Sequence, residues 1–314
     1  YSTLVNRHMN KSSFYLEYTN FNLDGSHDES IRIKAGHGKK LNTGKIANIS
    51  GNTKLLIGTF DYIDGGTVKE ANYFTNATSG FFAVNIDDPN KLNIKFQDFL
   101  DLENMTGYLK SDEYLEAKRK AEKSQDSTGK HSVSYNILLH DVIERDSLFY
   151  FVGDAYYEDY HMVTNTYYDY YGRATPVSYS VFDGYRYFNT FISCYDIDGN
   201  KLWDNGMEIF NILTFDLKRR GNVYFTGNET VMAYNHNGKI SAKIINGPEV
   251  VEGVESYPIE TTFNNDKVTE DTKSNMMHWY DNYFIAYGFQ VIKNNSLVKN
   301  NKRTVFYINK LAFQ

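Results

Sequence analysis

Ten tyrosines fall between Tyr156 and Tyr187, at positions 156, 157, 160, 167, 168, 170, 171, 179, 185 and 187. Glu158, Asp159, His161, Asp169, Arg173, Asp183 and Arg186 are interspersed among them. Tyrosine supplies a large, stiff contact surface and a hydroxyl at low conformational-entropy cost. Such a segment suits recognition of a sugar or a protein. The contact residues expected on this reading are Tyr157, Tyr160, Tyr167, Tyr168, Tyr170, Tyr171, Arg173, Tyr185 and Tyr187. The runs Tyr167 to Tyr171 and Tyr185 to Tyr187 serve as anchors. The same residues also fit a long hairpin whose alternate tyrosines pack across the strands.

Other groups could carry reactions. Asp61, Asp64, Asp154, Glu158 and Asp159 all follow the ends of apolar runs. In an array of equivalent units those ends share one face, where paired carboxylates could act on a glycosidic bond. His140-Asp141 lies on a predicted strand and could aim at a central channel. Asp196 and Asp198 before Gly199 echo the opening of a calcium loop, but the run is too short and lacks the later bidentate Glu; a hairpin turn explains them. The eight histidines contain no i,i+4 pair of helix-ligand type. Cys194 is the only cysteine, which excludes an intrachain disulfide and a thiolate cluster. Its apolar strand setting reads as an inert packed thiol. No phosphate loop, nucleophile elbow or zinc motif occurs. No catalytic residue, metal ligand or cofactor is assigned.

The elements that must position these residues recur. Phe191 to Trp203, Thr230 to Ile244 and Phe14 to Ile33 each read as an aromatic strand, an Asp-Gly or Asn-Gly turn and a second strand. Asn-Gly and Asp-Gly between alternating hydrophobics signal a hairpin of type I′, whose central residues both need positive φ. Two further strands precede the turn in the fuller copies. The fourth unit shows this order as 211–217, 222–227, 230–234 and 239–245. A four-strand unit of about 40 residues has the size of a propeller blade. The second strand runs to a glycine in each case: Gly58, Gly153, Gly227 and Gly288. A missing Cβ there permits close backbone approach.

The expected fold is therefore all-β, a β-propeller-like array of four-stranded antiparallel blades with one inserted surface helix. Residues 1–314 form a single domain, with units at about 12–35, 38–98, 131–210, 211–247 and 270–314. Helix formers and i,i+4 charge pairs place the helical insertion at 100–130. The first and last units look incomplete, which favours neighbouring blades absent from this chain. Tyr (27) and Phe (21) are abundant in the 314 residues and Pro (4) is scarce, which favours pleated strands. A net charge of −6 without clustered Lys and Arg argues against a nucleic-acid partner. No apolar run approaches the length of a membrane-spanning helix. The first residue is Tyr rather than Met, which fits a processed, exported chain.

Asp198-Gly199-x-x-x-Trp203 resembles the blade hairpin of pyrroloquinoline-quinone-type propeller repeats. More broadly, the chain resembles a group of secreted or envelope propeller-like proteins of Bacteroidetes. The residues that carry this likeness are Leu56-Ile-Gly-Thr-Phe60 with Gly80-Phe-Phe-Ala83, Val181-Phe-Asp-Gly-Tyr-Arg-Tyr187, and Asp198-Gly-Asn-Lys-Leu-Trp203. The resemblance covers most of the chain. It implies export and a propeller-like fold, and brings no catalytic residues. The function expected is that of an exported binding or scaffold protein, secreted, periplasmic or at the cell surface, whose partner is an envelope protein or a glycan. The alternatives are a glycan-active hydrolase or lyase with clustered carboxylates at the channel, and a structural subunit of an envelope assembly.

Overall fold

The computed structural model describes residues 2–10, 13–27, 30–36, 38–48, 54–63, 77–102, 119, 134–263, 265–294, 296 and 301–313. Its named elements are twenty strands and one short 3-10 turn (Phe99–Asp101). Among the described residues the strands form five antiparallel sheets, none closed on itself. The first holds β1 (Ser2–Asn10), β2 (Ser13–Asn20) and β3 (Ile31–Ile33). The second draws on β4 (Lys39–Asn48) and β5 (Lys54–Tyr62). The two-residue β6 (Ala77–Thr78) crosses to the third sheet, while β7 (Gly80–Asn85) and β8 (Lys95–Asp98) complete the second. The third sheet contains β9 (Tyr135–Leu139), β10 (Ile143–Arg145), β11 (Leu148–Tyr168), β12 (Ala174–Tyr195) and β13 (Lys201–Thr214). The fourth is β14 (Asn222–Thr226), β15 (Glu229–His236), β16 (Lys239–Asn246) and β17 (Glu249–Pro258). The fifth is β18 (Asp266–Tyr280), β19 (Tyr283–Asn294) and β20 (Lys302–Ala312).

The sheets stack face to face in chain order, and four apolar cores fill the gaps. Because side chains alternate across a strand, each inner strand feeds two cores. Leu55 and Ile57 of β5 enter the core shared with the third sheet, whereas Leu56 and Phe60 enter the core shared with the first. Phe149 and Phe151 of β11 face the second sheet; Tyr150 and Val152 face the fourth. Val231 and Ala233 of β15 face the fifth sheet, while Met232 and Tyr234 face the third. Burial on both faces is the reason these strands read as continuous apolar runs rather than as alternating ones.

Three expectations change. Residues 211–217 do not open the fourth sheet. Their strand part, through Thr214, is the end of β13 and pairs with β12, with Ile212 opposite Tyr187 and Thr214 opposite Tyr185. The fourth strand of that sheet is instead β17, beyond the expected boundary at 247. The first unit gains β1, paired along β2 from Ser2–Asn20 to Asn10–Ser13. The helical insertion expected at 100–130 lies almost wholly outside the described residues.

The three Asp-Gly and Asn-Gly hairpin turns expected from the sequence are of two kinds. Asn237 (φ 52) and Gly238 (φ 69) both have positive φ, the expected type I′ turn. At Asp24-Gly25 and Asp198-Gly199 only the glycine does. There the chain closes a three-residue loop: Asp196 N donates to Asn200 O (3.0 Å) and Gly199 N to Asp196 O (3.0 Å). The Asp196 carboxylate accepts the amides of Asp198 (3.0 Å) and Asn200 (2.7 Å). At Asp196 the carboxylate thus holds the longer loop from within, whereas Asn22 stands at that place before Asp24-Gly25 and Asp24 itself accepts the Ser26 amide (2.9 Å). The repeated glycines also divide. A Cβ on Gly58 would lie 2.1 Å from Thr43 O, so the neighbouring strand requires its absence. Gly227 has open space around it and serves a turn at φ 55.

Candidate functional site

The Tyr-rich segment is a β-ribbon. β11 and β12 stay paired from Phe149–Tyr195 out to Tyr168–Ala174. Their flanking strands end earlier, with β9 reaching Tyr156 and β13 reaching Tyr185. Beyond these points no other described strand accompanies the two, for ten or so residues, roughly 30 Å of extended chain. Phe188 and Asp183 are extra residues on β12 where the register shifts; such bulges turn a ribbon and re-aim its side chains.

The two faces of the ribbon differ. One carries an aromatic ladder from the core outward. Tyr187 meets Tyr156 (5.9 Å between ring centroids), Tyr156 meets Tyr185 (5.6 Å), Tyr185 meets Phe182 (5.2 Å), and Phe182 meets Tyr160 (5.4 Å) and Phe215 (6.0 Å). The other face is tied by polar pairs. Arg186 reaches Asp159 (2.6 Å), His161 Nδ1 reaches Asp183 (2.7 Å), and Asn165 donates to the Tyr179 hydroxyl (3.2 Å). At the tip, Asp169 N donates to Arg173 O (3.0 Å) and Gly172 N to Asp169 O (2.9 Å). The Asp169 carboxylate accepts the amides of Tyr171 (2.9 Å) and Arg173 (2.8 Å). This is the same acid-held loop as at Asp196, and it fixes the backbone that presents Tyr170 and Tyr171.

The nine expected contact residues do not form one surface. Tyr170 is 97% exposed and Tyr168 72%, whereas Tyr187 is 1% exposed. Tyr187 belongs to the core between the third and fourth sheets. Its hydroxyl donates to Lys218 O (2.7 Å) and accepts from Lys218 N (2.9 Å), and burial pushes its pKa up to about 12. It is a packing residue and is withdrawn as an anchor. Tyr157 and Tyr185 are half-buried at the ribbon base. Tyr160, Tyr167, Tyr168, Tyr170 and Tyr171 are exposed, and the Arg173 guanidinium lies over the Tyr171 ring (6.0 Å). Cross-strand packing therefore holds near the body, and free aromatic surface holds toward the tip.

A second site was only glimpsed in the sequence. A groove of about 700 Å³ runs where the third, fourth and fifth sheets meet, lined by His140, Asp141, Arg219, Asn222, Asn275 and Tyr287 among others. β14 and β18, the first strands of their sheets, contribute to it, as does the end of β9. Lys45 of β4 reaches it by pairing with Asp141 (2.9 Å), and Arg219 pairs with the same carboxylate (3.0 Å). The hydrogen bond from Lys45, reinforced by Arg219, holds the Asp141 pKa below the usual carboxylate value. Beneath lies Asp154, wholly buried. It accepts from Thr190 Oγ1 (2.6 Å), Arg220 N (2.7 Å) and Gly221 N (3.2 Å), and its Oδ2 lies 3.0 Å from His140 Nε2. No local pattern marks Asp154 as this junction, because its partners lie 14 to 67 residues away.

The carboxylates expected to gather at strand ends take separate partners. Asp61 accepts from Ser79 Oγ (2.6 Å), and burial raises its pKa. Asp154 is enclosed as described, Glu158 accepts from the Tyr160 hydroxyl (2.6 Å), and Asp159 holds Arg186. Asp64 lies outside the described residues. Among the described residues no three His, Cys, Asp or Glu side chains are placed to share a metal ion. Cys194 is fully buried and its thiol is pushed up to about 12 by burial. A thiol reagent at mildly alkaline pH is expected to leave native protein unlabelled and to label it stoichiometrically after denaturation. Rapid native labelling would contradict a packed thiol.

No family model and no curated protein matches the chain. Among solved structures, a polysaccharide lyase aligns at a TM-score of 0.36 and 9% identity, over 99% of this chain and 55% of its own. The chain thus spans about half the length of that enzyme. A β-xylosidase aligns at 0.29 and 8% identity over 87% of this chain and 78% of its own. A Bacteroides ovatus protein assigned as a hydrolase aligns at 0.28 and 8% identity, over 98% of this chain and 77% of its own. Each is a remote likeness in the course of the chain.

Proposed function

We propose that the chain is a propeller-like binding protein acting outside the cytoplasm, and that the outer ribbon of β11 and β12 is its contact surface for an envelope protein. The observation that carries this reading is the ribbon itself. Two strands leave their sheet, stay paired to Ala174, and present Tyr160, Tyr167, Tyr168, Tyr170 and Tyr171 to solvent. A soluble chain gains no stability from exposing such rings, while pre-ordered aromatic surface lowers the entropic cost of binding. A protein is favoured over a glycan because the ribbon is convex and self-supporting, whereas small ligands are held in concave sites. The propeller-like arrangement is supported by the face-to-face stack and by the first strands meeting along one groove. The placement outside the cytoplasm is supported by the sequence resemblance.

The test compares wild type with the Tyr168→Ala, Tyr170→Ala, Tyr171→Ala triple variant for capture of proteins from an envelope fraction. The variant is expected to lose capture at least 10-fold while its melting temperature stays within a few degrees, as surface changes do. Unchanged capture, or a large fall in stability, would overturn the reading.

A second reading places a glycan-active hydrolase or lyase at the groove. Its support is His140, whose ring is fixed by the buried Asp154 carboxylate and which lines the groove. A carboxylate pair does not support it. Asp141 is the only carboxylate among the described lining residues, and two cations engage it. Turnover of a soluble polysaccharide that is lost in His140→Gln would favour this reading.

A further inference from the structure

The core between the fourth and fifth sheets is open at its outer rim, where a groove of about 310 Å³ lies. Ile240, Ala242 and Ile244 of β16 form one apolar wall, and Leu311 of β20 with the following Phe313 forms the other. β17 adds Glu252, Glu255 and Tyr257. A β-bulge brings the two glutamates to one face. Glu255 stands opposite Ala242 and Glu252 opposite Ile244, so β17 carries one residue more than β16 between these pairs. Without that extra residue, side-chain alternation would send the two carboxylates to opposite faces. The Tyr257 hydroxyl donates to Glu255 Oε2 (2.6 Å). The described lining holds no Lys, Arg or His. Cations on the neighbouring strands are turned elsewhere. Lys239 lines a different groove with Val254 and Ser256, Lys243 donates to Asn205 (2.8 Å), and Lys310 lies over the Tyr283 ring (3.6 Å).

β17 is also an outer edge, paired among the described residues with β16 alone. Exposed edges are commonly kept short or guarded by Lys. β3 and β8 have three and four residues, and β20 carries Lys302, Arg303 and Lys310. β17 has ten residues, all exposed, and its charges are Glu249, Glu252 and Glu255 only. We infer that this edge and its groove receive a basic segment of a partner protein, added to the fourth sheet as a further strand beside β17. The open edge selects an extended chain, whose main chain pairs with the regular run 255–258 and whose alternate side chains enter the groove. The charge selects Lys or Arg, with aliphatic stems on the apolar walls and cationic heads at Glu252 and Glu255. This surface shares no residue with the ribbon and does not depend on what the ribbon binds.

The test is fluorescence anisotropy of short labelled peptides with the full chain. An alternating Lys-Val peptide is expected to bind saturably and an alternating Glu-Val peptide not to bind. The Glu252→Gln, Glu255→Gln variant is expected to bind the Lys-Val peptide at least about 10-fold more weakly, with an unchanged melting temperature. Asp88→Asn, Glu144→Gln makes the same change in net charge at two exposed acids elsewhere and is expected to bind like wild type. Methylating alternate backbone nitrogens of the peptide keeps its charge but removes strand pairing, and is expected to weaken binding to a similar degree. An absence of saturable Lys-Val binding, an equal loss in the two double variants, or undiminished binding of the methylated peptide would each overturn the inference.

Discussion

Replacing Asp154 by Ala is expected to destabilise the fold by about 3–5 kcal/mol, because it strands several buried donors at once. The side chain is wholly buried and joins β9, β11, β12 and the segment leading into β14 through four partners. Without it, two backbone amides, the Thr190 hydroxyl and the His140 ring lose their acceptor in a space that water does not replace well. Denaturant unfolding of the variant beside wild type measures the effect. Asp154→Asn keeps the shape and one acceptor oxygen, so its cost is expected to be smaller. A loss below about 1 kcal/mol for the Ala variant would show that the groove wall does not depend on this junction, since that is the size of one ordinary hydrogen bond.

Phe81→Ala is expected to cost a similar amount, about 3–5 kcal/mol, by a different route. Phe81 sits between the second and third sheets, with ring centroids 5.2 Å from Phe99, 5.1 Å from Phe151 and 4.8 Å from Phe191. Besides the short β6 strand and polar ties such as Lys45–Asp141 (2.9 Å) and Lys95–Asn200 (2.6 Å), these layers cohere through side-chain packing of this kind. Deleting the ring leaves a cavity that three fixed aromatics cannot fill. Thermal unfolding of Phe81→Ala and of Tyr170→Ala gives the contrast, since the exposed ring is expected to change stability by less than about 0.5 kcal/mol. Equal effects at the two positions would contradict the placement of Phe81.

The sequence disclosed most where local chemistry and final structure coincide. Leu55-Leu-Ile57 and Phe149 to Val152 read as strands because burial on both faces removes the polar alternation. Asn237-Gly238 read as a turn because its backbone needs left-handed residues. Partnership was harder to see. Residues 211–214 have a strand-like pattern, but nothing local says that they finish β13 rather than begin the next sheet. β17, exposed along its length, carries Glu-Val-Val-Glu-Gly-Val-Glu and lacks the apolar signature of a core strand. Its clue lay in Gly247-Pro248, where Gly247 has φ 59 and a two-residue loop joins Asn246 to Glu249; glycine then proline suits a II′ hairpin. The tyrosines of the ribbon show the same limit. Tyr187 and Tyr168 look alike in sequence, and only the point where β13 and β9 stop accompanying the hairpin separates core from surface. Asp154 carries no motif, since its role arises from chain segments that meet only on folding.

The ribbon is rooted in the middle of the stack, in strands whose inner halves fill the core on either side. Those inner halves are packed on both faces, so they belong to the part of the fold that opens last. A partner pulling on the ribbon tip would load two long strands along their axes, against many hydrogen bonds in parallel. The ribbon root is therefore mechanically a shear joint, which resists a load at the tip through both strands at once.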